Sequence, residues 1–277
     1  MENYQNPNGQ FGGWEQTRVP YGAPNPQGFA PYGSGMSEER QEEQNDKKIL
    51  KKLGSLFGLA IIFYVACSTL FSLAILFLSE HFPVFNLLYE NEFANYAYSV
   101  IGSILYIGVP FGLVYLALKK KKIAGVLPFG TVYNGKAAVY LTMMSIPAMT
   151  LSSMIVNAIS LIIQSLMGIE FISGLEDLQM TGVSGFLIGV ISMAVVPAII
   201  EEFSIRGVVM QPLRRYGDGF AIVASAFIFS IMHGNMAQIP YTVVGGLYLG
   251  YLAIATGSIW PSIIVHFVNN MYSVIIM

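Results

Sequence analysis

From Leu53 onward the chain consists of long apolar stretches broken by short polar ones, whereas residues 1 to about 45 contain no apolar run long enough to build a core. A helix needs about 20 apolar residues to cross the ~30 Å hydrocarbon layer of a bilayer. By that measure Leu53–Leu78, Tyr96–Leu118, Ala137–Leu166, with Pro147 as a kink, and Val183–Ile200 are four spans. Phe220–Met236, Tyr241–Ala255 and Ile259–Met277 read as three more helices, each short for a full crossing and each carrying polar groups. Such helices are tolerated where they face protein or water rather than lipid. The expected fold class is all-α: a polytopic transmembrane bundle of about seven or eight helices behind a disordered N-terminal tail.

The tail, residues 1–45, holds five of the thirteen prolines and seven glycines among many Asn, Gln and Tyr residues. That composition predicts a solvated, disordered segment. It offers neither the basic start nor the continuous apolar core of a secretory signal. Glu38–Lys52 is expected to begin a helix, and residues 46–277 form the expected membrane-embedded helical domain, with its chemistry in about 183–277.

Composition strengthens the membrane reading. Of 277 residues 54% are apolar and 11% charged, and eight of the thirty charges lie in the first 45 positions. Too few remain to coat a soluble domain, and mean hydropathy is +0.58. A single cysteine, Cys67, excludes a disulfide framework or a thiolate metal cluster and reads as inert packing. The net charge of −2 gives no footprint for nucleic acid; membrane lipids are the expected surroundings.

Charge also sets the expected orientation, because cytoplasmic loops retain Lys and Arg. With the N-terminus inside, Lys47, Lys48, Lys51, Lys52, Lys119–Lys122, Lys136, Arg206, Arg214 and Arg215 all fall on the cytoplasmic side. The loops then expected outside, Ser79–Asn95 and Met167–Gly182, carry Glu80, Glu90, Glu92, Glu170, Glu176 and Asp177 but neither Lys nor Arg. The expected localisation is the cell membrane, multi-pass, with a cytoplasmic N-terminus.

Ionisable groups inside spans cost roughly 2.5–3.5 kcal/mol each on insertion scales. The last third nevertheless concentrates them. Glu201 and Glu202 follow the apolar Val195–Ile200, with Arg206 four residues after Glu202; His233 follows Phe227–Met232; His266 lies within Ile263–Val268 and is followed by Asn269 and Asn270. Helical spacing pairs Glu202 with Arg206, Phe229 with His233, and His266 with Asn270. Glu201 is turned about 100° away from Glu202 and is free to face another helix. Singly, each has a plain structural reading: an ion pair at a helix end, a snorkelling carboxylate, a satisfied core histidine. Together they predict three polar helix faces buried against one another. Gly245, Gly246 and Gly250 read as close helix packing.

These residues resemble the CPBP intramembrane proteases, the family of CAAX prenyl endopeptidases and Abi-type bacteriocin-processing proteins. The family's Glu-Glu-x-x-x-Arg motif matches Glu201, Glu202 and Arg206; its Phe-x-x-x-His motif matches Phe229 and His233; its His-x-x-x-Asn motif matches His266 and Asn270. The stretch Gly246–Asn270 looks like the family's usual approach to its last motif.

The resemblance implies an endopeptidase acting on a membrane-associated peptide, either prenylated or a leader peptide. Glu201 and His233 would hold and activate a water, with Glu201 as base. His266 and Asn270 would stabilise the oxyanion, and Arg206 would fix Glu202. Spacing alone does not distinguish Glu201 from Glu202 as the base. Glu201, His233 and His266 would also make a three-ligand zinc site, although the His-Glu-x-x-His spacing of zinc proteases is not there. Two other classes compete. A transporter or channel would bury the same groups as a relay, but the polar residues are confined to the last third, without the repeated halves expected of one. A catalytically silent immunity or scaffold protein would use the same fold without turnover.

Overall fold

The computed structural model describes residues 38–120, 132, 135–168, 182–236 and 238–276. The expectations for the tail up to residue 37, and for Lys121, Lys122, Glu170, Glu176 and Asp177, lie outside the described residues. The chain divides into two units, residues 1–44 and 45–277, and all the chemistry of interest lies in the second.

The described residues contain no strand and form seven helices: α1 (Glu38–His81), α2 (Glu92–Lys120), α3 (Gly135–Met167), α4 (Gly182–Tyr216), α5 (Asp218–Met232), α6 (Ile239–Thr256) and α7 (Trp260–Ile276), with short helical turns between α1 and α2. Five of these, α1, α2, α3, α4 and α6, are long and apolar enough to cross a membrane. The all-α multi-span architecture read from the hydrophobic pattern is therefore the observed one.

Two boundaries differ from expectation. The fourth span does not end at Ile200: α4 continues to Tyr216 and carries Glu201, Glu202 and Arg206 within it. The helix expected to reach Met236 stops at Met232, because Gly234 adopts φ +62° and its N–H bonds to the Ile231 carbonyl. A left-handed glycine just past a helix end is a common stop.

Proline placement explains an irregularity of α2 and α4. Three segments widen to π-type turns, Ser103–Gly108, Val190–Val195 and Phe203–Met210. Each ends two residues before a proline: Pro110, Pro197 and Pro212. A proline inside a helix lacks the donor for the preceding turn, and its ring meets the carbonyl four residues back. A wider turn moves that carbonyl aside and lets the helix run on. The third such turn contains Arg206.

The bundle is layered. Within the apolar windows of α1 and α3 only 6% of residues are buried, against 44% for α6. Leu59, Ile62, Leu70 and Leu73 on α1, and Met143, Met144, Met154 and Leu161 on α3, are more than half exposed. Such a surface is stable in hydrocarbon and not in water. The inner elements α4, α5, α6 and α7 pack on one another. Small residues bring α5 and α6 together: a Cβ on Gly246 would lie 3.0 Å from Ala226 Cα, and one on Gly250 would lie 3.3 Å from Ile222. The close packing read from these glycines is present.

Candidate active site

Arg206 is among the largest fully buried side chains of the protein, and so is Glu202. An isolated charge at such a place is prohibitively unfavourable, so its partners decide whether it is tolerated. Arg206 has three. One terminal nitrogen donates to Glu202 Oε1 at 2.9 Å, the other donates to the Gly246 carbonyl at 3.0 Å, and the guanidinium carbon lies 4.7 Å from the centroid of the Phe229 ring. The wide turn of α4 presents the group, α6 supplies a carbonyl, and α5 supplies an aromatic face.

Glu202 Oε1 is shared. It also receives His266 Nδ1 at 2.9 Å, from α7. The other ring nitrogen, His266 Nε2, faces Glu201 Oε2 across 3.7 Å. That separation exceeds a hydrogen bond, and it is of the kind that a water or a substrate oxygen can bridge. Glu201 Oε2 and Glu202 Oε2 are both buried and accept no hydrogen bond among the described residues. Each carboxylate thus keeps an acceptor oxygen uncommitted within the cluster.

His233 stands just past the C-terminal end of α5. Its Nδ1 lies 2.9 Å from the Phe229 carbonyl. A carbonyl only accepts, so Nδ1 carries the proton and Nε2 of the neutral ring is left as the acceptor. Phe229 lies between both histidines, edge-on to His233 with ring centroids 4.6 Å apart and to His266 at 5.8 Å. The Phe-x-x-x-His spacing therefore serves a packing role that touches Arg206, His233 and His266 together.

Asn270 is the sixth predicted residue. Its Oδ1 accepts from Asn269 Nδ2 at 3.4 Å, and Asn269 Oδ1 in turn accepts from the Tyr241 hydroxyl of α6. This chain directs the Asn270 oxygen toward Asn269. Its Nδ2 is thereby the end that remains to donate.

Sequence reasoning missed the Gly246 carbonyl, Tyr241, Asn269 and Tyr64, which donates to the Met232 carbonyl beside His233. None of these contacts repeats at helical spacing. Each joins different helices, apart from the Asn269–Asn270 pair, and backbone acceptors leave no trace in residue identity.

The zinc reading can be tested on the donors. Among the described residues no three His, Cys, Asp or Glu side chains come together as a group that could hold a metal ion. The ring contacts of the two histidines are not what excludes one: His266 gives Nδ1 to Glu202 and His233 gives Nδ1 to its own helix, and each keeps Nε2, the nitrogen a metal would take. As arranged, Glu201, His233 and His266 do not fit a three-ligand centre. Two apolar grooves lie elsewhere, one along Ile104–Leu116 of α2 and one between α2 and α4 at Phe93, Tyr96, Ile188 and Ile191.

The chain matches no curated protein and no solved structure. Residues 183–272 match the family described as type II CAAX prenyl endopeptidase Rce1-like. The matched segment is roughly a third of the chain and runs from α4 through α7. Every residue of the three motifs lies inside it. The segment that carries the cluster is thus similar to a family of CAAX-type peptidases, which agrees with the resemblance to the CPBP intramembrane proteases.

Proposed function

We propose that this protein is an intramembrane endopeptidase that hydrolyses a peptide bond of a membrane-associated substrate, prenylated or leader-peptide-like, using a water activated by Glu201. The observation that carries the reading is the division of labour between the two glutamates. Glu202 is fully buried and engaged by both Arg206 and His266, whereas Glu201 has no hydrogen bond at Oε2 and faces His266 Nε2 at 3.7 Å. A carboxylate held by a guanidinium and an imidazole is a poor base, because taking a proton would remove the charge on which both contacts depend. Glu201 carries no such commitment.

In the proposed reaction a water lies between Glu201 and the unprotonated Nε2 of His233. Glu201 removes its proton while the oxygen attacks the scissile carbonyl. The tetrahedral oxyanion receives hydrogen bonds from Asn270 Nδ2 and from His266 Nε2. For that second donation His266 must carry protons on both nitrogens. The proton held by Glu201 then passes to the leaving amine as the C–N bond breaks. Glu202 orients His266 much as a carboxylate orients the histidine of a catalytic triad, and Arg206 holds Glu202.

The Lys and Arg distribution supports an N-terminus in the cytoplasm and a site reached from that side, together with a membrane domain over about residues 46–277. The test is Glu201→Gln in purified protein, assayed on prenylated CAAX peptides and on leader peptides. Cleavage should fall by ~10²–10⁴, the usual contribution of a general base, with thermal stability nearly unchanged. Near-full cleavage by Glu201→Gln would refute the assignment.

A further inference from the structure

The end of α5 decides where His233 stands. A helix leaves its last four carbonyls without partners from within it, and for α5 these are Phe229, Ser230, Ile231 and Met232. Three are satisfied locally. His233 Nδ1 donates to the Phe229 carbonyl, the His233 N–H to Ser230, and the Gly234 N–H to Ile231. The fourth, Met232, receives the Tyr64 hydroxyl at 2.7 Å, from a residue 168 positions earlier in the chain.

Tyr64 lies midway along α1, outside the segment that matches the peptidase family. Its ring packs against the main core, and its hydroxyl is within electrostatic reach of Glu201. It therefore stands near both members of the proposed water site. Most of its neighbours on α1 face outward; Ile62, Phe63 and Val65 are exposed. A tyrosine turned inward from a lipid-facing helix to cap one specific carbonyl is more than a space filler, since phenylalanine would fill the same volume.

We propose that Tyr64 is a positioning residue of this site: by donating to the Met232 carbonyl it ties the corner that carries His233 to α1 and fixes the distance between His233 and Glu201. The peptide bond that Tyr64 holds is the one linking Met232 to His233, so a shift of that carbonyl rotates the histidine directly. Without the hydroxyl the corner keeps its three local bonds and the backbone bonds from Gln238 and Ile239 to Asn235, but loses its link to α1. This inference rests on the protease reading for its catalytic consequence, but not for its structural one.

The experiment compares wild type and Tyr64→Phe in detergent by two readouts. The first is steady-state cleavage of a prenylated CAAX peptide; the second is hydrogen–deuterium exchange of the peptide segment covering residues 230–236. Tyr64→Phe should lower kcat about tenfold with KM unchanged, while exchange at 233–236 rises severalfold and exchange in α4 and α7 stays at the wild-type level. Wild-type kcat in the variant, or unchanged exchange at the corner, overturns the proposal. A global rise in exchange also overturns it, because Tyr64 would then be holding the fold and not the corner. If the wild-type protein cleaves no substrate, the protease reading fails, and the exchange data still decide whether Tyr64 fixes the corner.

Discussion

Replacing Glu202 by glutamine keeps the shape of the side chain and removes the charge that makes Arg206 tolerable. Both side chains are 0% exposed. In the variant the guanidinium would retain the Gly246 carbonyl and the Phe229 ring, but no anion within hydrogen-bond distance. Removing one partner of a buried pair costs about 3–5 kcal/mol, chiefly because the surviving charge is left uncompensated. The bond from His266 Nδ1 weakens as well, since an amide oxygen replaces a carboxylate. For a bundle of this size each kcal/mol corresponds to about 2–4 °C in Tm, so a drop on the order of 10 °C is expected. Thermal unfolding in detergent, followed by intrinsic fluorescence, measures it. The double variant Glu202→Gln with Arg206→Met removes the stranded charge and should be more stable than Glu202→Gln alone. If Glu202→Gln melts within a degree of wild type, or if adding Arg206→Met makes it worse, the buried pair is not the structural element inferred here. Should Glu202→Gln instead fold normally and be inactive while Glu201→Gln stays active, the roles of the two glutamates are exchanged.

Gly246→Leu should destabilise by about 1–3 kcal/mol, because a Cβ there would already meet Ala226 at 3.0 Å; the same change displaces the carbonyl that holds Arg206, so activity should fall further than the folded fraction does. Cleavage should persist in the presence of a chelator, since the donors do not converge as a three-ligand set; loss of activity restored by added zinc would refute this. A reporter fused after Lys120 should be cytoplasmic and one fused after Met167 external, and the reverse pattern would invert the orientation read from the basic residues.

The hydrophobic pattern alone determined the class of fold. Runs of about 20 apolar residues have few stable solutions in hydrocarbon, and helices are the one that satisfies every backbone group within the segment. The identities of Glu201, Glu202, Arg206, Phe229, His233, His266 and Asn270 were likewise legible, because polar groups in apolar runs are conspicuous and their spacing of four is the helix repeat. What lay beyond the reach of the sequence depends on which helices meet. Spacing paired Glu202 with Arg206, but it could not reveal that His266 shares the same oxygen, since that contact joins residues 64 apart. The end of the fourth span differs for a related reason: the apolar run stops at Ile200, before Glu201 and Glu202, whereas tertiary packing accommodates these polar groups and a widened turn carries α4 past Arg206 to Tyr216. Tyr64 illustrates the limit most clearly. In sequence it is one tyrosine in an apolar run, and it becomes the cap of the Met232 carbonyl once α1 is laid beside the end of α5. Periodicity describes what one helix presents, whereas the partner of each presented group is decided by the packing of the bundle.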